Sequence, residues 1–345
     1  MKEIVLMKKC IYINPALLLF LVGIFVLAAC SPTGVKPIDA SVDSAGEDPP
    51  TNDPSADLAL ENPTKVASPS VGELEGSPNL AMTPTPTLIK QSEPTPLAEG
   101  EWMSFPVIPE LSERALEIYT EGISGGNDPH AFSKVGDCQN VPSMFVSIFD
   151  HPGFYTLGED YEYLAETIDW YQGSFERESE AVRRGFNAAS VVSPVWADPE
   201  VCEIGEDPLQ CELRLYKPSV AIVSLETWWA GNPDNYEKYV RQILETLIDG
   251  GVLPILATKA DNLEGDHRIN GVLAGLAHEY QIPLWNFWLA VQTLPDQGLM
   301  EDGFHLTFAP NEFDDPQVMK AAWPWRNLTA LQVLDKVRET VQSSS

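Results

Sequence analysis

Two uninterrupted apolar runs restrict the fold of this chain more than any other feature. They are Ser-Val-Ala-Ile-Val-Ser-Leu-Glu at residues 219–226 and Val-Leu-Pro-Ile-Leu-Ala-Thr at residues 252–258. Neither alternates with polar residues, so both read as strands covered on two faces, as in a parallel sheet whose crossovers are helices. The segment between them has the helical period, with Tyr239, Ile243, Leu247 and Ile248 on one side, and it stops at Gly250-Gly251. This spacing predicts a helix over residues 235–250.

The alternation extends in both directions. An apolar-polar pattern from Phe132 breaks at Gly136-Asp137-Cys138 and predicts a strand, a tight turn and a helix over residues 140–150 with Pro142 in its first turn. Further strands are predicted at residues 181–185 and 282–287, and helices at 112–122, 161–171, 266–280 and 328–341, the last capped by Asn327. Together they predict an α/β domain on a doubly wound parallel sheet of about five strands.

The chain before this domain has a different composition. Lys8 and Lys9 precede an apolar run from Ala16 to Ala29, closed by Leu27-Ala28-Ala29-Cys30. A basic start, an apolar stretch and small residues at its end describe a secretory signal peptide, shorter than the about 20 apolar residues of a membrane span. Leu-Ala-Ala-Cys resembles the bacterial lipobox, whose cysteine becomes the lipidated first residue of the mature protein. The expectation is a signal peptide over residues 1–29, lipidation at Cys30, and an extracytoplasmic protein anchored to the bacterial cell membrane. An uncleaved N-terminal anchor is the alternative. Residues 30–100 are rich in Pro, Ser, Thr, Asp and Glu, with Thr83-Pro84-Thr85-Pro86-Thr87 at their plainest, and predict a disordered tether. Residues 101–345 are left for one sizeable domain.

The formal net charge is -30, and loss of residues 1–29, with three lysines and one glutamate, would take it to about -32. Phosphate backbones need clustered Lys and Arg, so nucleic acid is excluded as an expected partner. Cys202 and Cys211 bracket a short acidic segment and, in an oxidising compartment, predict a disulfide. Cys138 is then the remaining thiol of the domain, unless it pairs with one of the other two.

Cys138 ends the first strand, at the edge where open α/β sheets bind ligands. Asp302-Gly303-Phe304-His305 supplies an acid and a base three residues apart late in the chain. The two segments together offer nucleophile, base and orienter. Ser133 and Ser190 are rival nucleophiles without the strand-end turn.

In this order and spacing the chain resembles the SGNH or GDSL hydrolase superfamily over about residues 132–305. Gly136-Asp137-Cys138 stands where that family has Gly-Asp-Ser, and Asp302 and His305 match its Asp-x-x-His. The resemblance implies a flavodoxin-like three-layer sandwich, a triad of Cys138, His305 and Asp302, and an oxyanion held by backbone N-H groups of Cys138 and Gly185. The family's Gly-x-Asn-Asp turn is replaced by Glu226-Thr227-Trp228-Trp229, so its oxyanion asparagine is missing. Losing one such donor typically costs about 10² to 10³ in rate.

Other residues at the same sheet edge are candidates for substrate binding. Glu226 ends a strand, Trp228 offers a stacking face, and Lys259, Asp261 and Asn262 follow the next strand, where a local salt-bridge network is the competing reading. Asp266 and His267 read as a helix cap and a solvated first turn, and no metal ligand set has useful spacing. No metal or organic cofactor is implied. The expected function is an esterase or acyltransferase acting on acyl esters, with a small-molecule or glycan ester as substrate. The alternative is a catalytically silent SGNH fold that binds a glycan or other ligand.

Overall fold

The computed structural model describes residues 95–225 and 233–344. After helix α1 (Glu113–Gly125), capped by the Ser112 side chain, strand β1 (Asp128–Gly136) crosses the core. The two-residue strand β2 (Tyr155–Thr156) and the short helices α2 (Ala165–Trp170) and α3 (Ala188–Val191) follow. Helix α4 (Pro208–Tyr216), closed at its start by an Asp207–Gln210 capping box, leads into β3 (Pro218–Ser224). Helix α5 (Pro233–Asp249), β4 (Leu253–Ala257), α6 (Arg268–Tyr280), β5 (Leu284–Trp285) and α7 (Phe287–Val291) continue the alternation. Strand β6 (Asn311–Glu312) pairs with β2, and α8 (Ala322–Ser343) closes the chain.

The main sheet is parallel, in the order β1-β3-β4-β5, and helices flank it in an α/β sandwich. Every residue of β3 and β4 is buried, which is why neither run alternates. The predicted strand at residues 181–185 is reduced to one parallel bridge, Gly136 to Val182, on the free edge of β1. Gly136 N donates to Ala181 O at 3.0 Å there, so the sheet has four strands and a remnant of a fifth.

Several boundaries differ from expectation for identifiable reasons. Residues 140–150 form turns, with one 3-10 turn at Ser147–Asp150, because Asp137 and Asn140 divert the backbone. Residues 161–171 split into a 3-10 turn at Glu159–Leu164 and α2. Strand β5 is short because Asn286 leaves the ladder to cap α7, accepting from Leu289 N at 3.3 Å. Helix α8 begins five residues before Asn327, with Pro324 in its first turn. Asn327 is therefore a buried helix-interior residue, accepting from Val146 N at 2.9 Å and donating to Asn311 Oδ1 at 3.0 Å. Helix α5 buries Tyr236, Val240, Ile243, Leu244 and Leu247, so its core stripe is rotated from the expected one, with Tyr239 and Ile248 at the margin.

Candidate active site

Strand β1 ends in register with β3, Gly136 opposite Ser224. A Cβ on Gly136 would lie 2.1 Å from Asn140 Nδ2 and 2.6 Å from Ser224 O, so this first position of the Gly-Asp-Cys turn admits glycine alone. Asp137 is fully buried, and its Oδ1 accepts from Gln139 N at 3.0 Å. Its carbonyl accepts from Asn140 N, also at 3.0 Å. Asn140, equally buried, donates from Nδ2 to Ser224 O at 2.6 Å. These bonds hold a tight turn where a helix was expected, so Cys138 does not sit at a helix N-terminus. That source of thiolate stabilisation falls away.

Cys138 is half-buried, and the disulfide joins Cys202 to Cys211, nine residues apart. Cys138 therefore remains a thiol. Cys202, Glu206 and Cys211 lie close together, but both sulfurs are committed to the bridge.

Asp302 and His305, three residues apart, meet in one loop. Asp302 Oδ2 lies 2.5 Å from His305 Nδ1, and Asp302 Oδ1 accepts from the backbone N-H groups of Phe304 at 3.0 Å and His305 at 2.9 Å. Burial raises the Asp302 carboxyl, but the bonds from His305 and Phe304 outweigh it and hold it down to about 2. With Nδ1 held by the carboxylate, Nε2 is the ring nitrogen away from it. Nε2 is buried and has no hydrogen-bond partner among the described residues, Cys138 included. The next side chain after Cys138, Gln139, is 4% exposed and likewise leaves Oε1 without a partner among the described residues.

The His305 loop is fastened to the start of α8. Thr307 O accepts from Trp323 N at 3.1 Å, and Thr307 Oγ1 accepts from Ala322 N at 3.0 Å. One turn into α8, Arg326 is fully buried and reaches the strand ends, donating from Nη2 to Ser224 Oγ at 2.7 Å and to Asn140 Oδ1 at 3.4 Å. Sequence reasoning missed Asn140, Ser224 and Arg326. A signal was available for the last: an arginine among Ala322, Trp323, Trp325, Leu328 and Ala330 has no acid three or four positions away.

The remaining candidates divide. Gly185 is exposed, with φ 86°, a conformation that favours glycine, and nothing fills the space beside it. Glu226 and Trp228 lie outside the described residues, as do Trp229 and Cys30. Lys259 and Asp261, with Glu264, form the salt-bridge network of the competing reading, and Asn262 stands beside it. Lys259 Nζ lies 2.6 Å from both Asp261 Oδ1 and Glu264 Oε2, and Asn262 Oδ1 accepts from His267 N at 2.8 Å. Asp266 bonds to Arg268, but His267 is not a solvated first-turn residue. It packs edge-on against Trp102 and Trp288, and burial pushes its imidazole down. Ser133 donates to Glu212 and Ser190 to Asn187, so both rival hydroxyls are engaged in the scaffold. Among the described residues no helix is long and apolar enough to cross a membrane. No family model, no curated protein and no solved structure matches this chain.

Proposed function

We propose that this protein is an esterase or acyltransferase of SGNH type, working through Cys138, His305 and Asp302 on acyl esters, including those of carbohydrates, at the cell envelope. The observation that carries the reading is the His305 imidazole, oriented through Nδ1 by Asp302 at 2.5 Å while Nε2 stays buried and without a partner among the described residues. Buried polar atoms are almost always satisfied, so an open one on an oriented ring fits a base awaiting its proton donor.

In the proposed reaction His305 Nε2 takes the Cys138 thiol proton as Sγ attacks the ester carbonyl. The tetrahedral oxyanion collapses to a thioester, and the leaving alkoxide receives the proton from His305. Water then attacks the thioester to release the acid, or a second alcohol attacks to complete a transfer, and the thiol is restored. Backbone N-H groups of Cys138 and Gly185 would hold the oxyanion. Met300 and Phe308, 44% and 72% exposed on the His305 loop, give an apolar rim suited to an acyl chain. The lipobox-like Leu-Ala-Ala-Cys supports attachment to the membrane through Cys30, with the domain outside the cytoplasm.

The absence of a hydrogen bond between Cys138 and His305 favours a second reading, a ligand-binding module without turnover. Iodoacetamide labelling of Cys138 against pH, with and without His305→Ala, separates the two. An apparent pKa below the ordinary thiol value of about 8.5 that rises when His305 is removed is the enzyme's signature. A profile indifferent to His305 rejects it, and glycan-binding assays then follow.

A further inference from the structure

Arg326 is the most completely enclosed cation near the candidate site. Its guanidinium carbon lies 5.0 Å from the Phe145 ring, 5.1 Å from Phe287, 5.6 Å from Trp285 and 5.9 Å from Trp323. Desolvating a guanidinium costs free energy unless its hydrogen bonds and the ring faces offset it, so an arginine in such a place is held for what it connects. Among its contacts are the end of β3 and the turn after β1, which frame the candidate nucleophile: Ser224 Oγ and Asn140 Oδ1, two residues past Cys138. Asn140 in turn clasps Ser224 O, and Gly136 has no room for a Cβ between them. On the other side, the first residues of the same helix carry the His305 loop through Ala322, Trp323 and Thr307.

We infer that Arg326 is a positioning residue, which sets the Cys138 turn against the His305 loop by tying the start of α8 to the carboxyl ends of β1 and β3. This rests on the proposed Cys138–His305 chemistry. The geometry explains the rest. The turn and the loop are about 165 residues apart in sequence, and Nη2 gives both bonds while the Phe145, Phe287, Trp285 and Trp323 rings pack around the guanidinium and limit its movement. Arg326 need not touch substrate to act this way.

The test uses the full chain and five variants: His305→Ala, Arg326→Met, Ser224→Ala, and each of the latter two combined with His305→Ala. The readout is the Cys138 alkylation rate as a function of pH, with melting temperature recorded alongside. In the unaltered protein, removing His305 should slow alkylation near pH 6.5 by about tenfold, the consequence of a pKa rise of about one unit. In the Arg326→Met and Ser224→Ala backgrounds, the same removal should change the rate by less than about twofold, because the coupling has been broken already. Retention of the full His305 effect in both backgrounds, even with a lowered melting temperature, overturns the inference and leaves the chemistry standing. An unaltered protein with no His305 effect overturns the chemistry, and the inference with it. Should Arg326→Met fail to fold, Ser224→Ala decides, since it removes a single hydroxyl.

Discussion

Two polar clusters stand at the carboxyl edge of the same sheet, and they are built on opposite plans. Beyond β4, Lys259 is 2% exposed and binds both Asp261 and Glu264, while Asp261 Oδ1 accepts from Leu263 N at 3.2 Å and Glu264 Oε1 from Ile269 N at 3.3 Å. Asn270 closes the group, accepting from Lys259 N and donating to Lys259 O at 2.9 Å each. These bonds run inward and stay local. The His305 cluster runs outward: its carboxylate orients a ring whose far nitrogen is buried and without a partner among the described residues. A polar group closed on itself defines a loop, whereas one oriented and left open can exchange a proton with something that arrives. Residue type does not distinguish the clusters. Both hold acids and a base.

The largest expected effect tests the closed cluster. Lys259→Met leaves two carboxylates in a dry loop and should destabilise the domain by about 3–5 kcal/mol. Guanidinium denaturation measures this. In the surviving folded fraction the Cys138 alkylation profile should be unchanged. A shifted profile would join the two clusters into one site and end the contrast.

Gly136→Ala should cost about 1–3 kcal/mol, since the added methyl meets Asn140 and Ser224 O. Unlike the lysine variant, it should also alter Cys138 reactivity, because the displaced atoms belong to the Cys138 turn. An unchanged profile would show that the turn tolerates movement.

A second buried lysine sharpens the comparison, since its ammonium bonds to carbonyls where Lys259 bonds to carboxylates. Lys134 Nζ donates to Phe175 O at 2.6 Å and Ser174 O at 3.4 Å, and burial, reinforced by Arg177, pushes its ammonium down to about 7. Its unfolded value is about 10.4, so between these limits the unfolded chain binds more protons and stability rises with pH. The slope has a ceiling of about 1.4 kcal/mol per pH unit. Denaturation at pH 7, 8 and 9 should show it in the native protein and lose it in Lys134→Met. Buried tyrosines, Tyr119 and Tyr171 among them, are pushed up and oppose it only at higher pH.

The smallest stability effect belongs to the open cluster. Asp302→Asn, at a half-exposed pair, should cost under about 1 kcal/mol. Because the Asp302 carboxyl is held down to about 2, its stabilising bonds are present above the unfolded value of about 3.9 and are lost as pH falls through 2. Yet this variant should slow Cys138 alkylation near neutral pH as His305→Ala does, since the ring loses its orientation. Small stability change with large reactivity change marks the open cluster, and Lys259→Met marks the closed one.

How far the sequence reached follows from the range of each interaction. Strands β1, β3 and β4, helices α1, α5 and α6, and the Cys202–Cys211 bridge were legible, because periodicity, caps and a nine-residue cysteine spacing are local properties. The Asp302–His305 pair was legible for the same reason, its partners three residues apart in one loop. The helix expected after Cys138 failed because side chains of Asp137 and Asn140 compete for backbone groups, one of them on a strand 84 residues away. The start of α8 and the roles of Asn327 and Arg326 were hidden in the same manner, since their partners stand 16 to 186 residues distant.

By itself, then, the sequence determined a parallel α/β domain, a disulfide, a thiol at a strand end and an oriented histidine elsewhere in the chain. Only the tertiary structure decided which polar groups bind one another, as Lys259, Asp261 and Glu264 do, and which, like His305 Nε2, have no hydrogen-bond partner among the described residues. It also decided that a buried arginine spans the strand ends beneath the cysteine turn. The reason is physical: satisfaction of a polar atom depends on every group within about 3.5 Å of it, and distant segments reach that range only when the chain has packed.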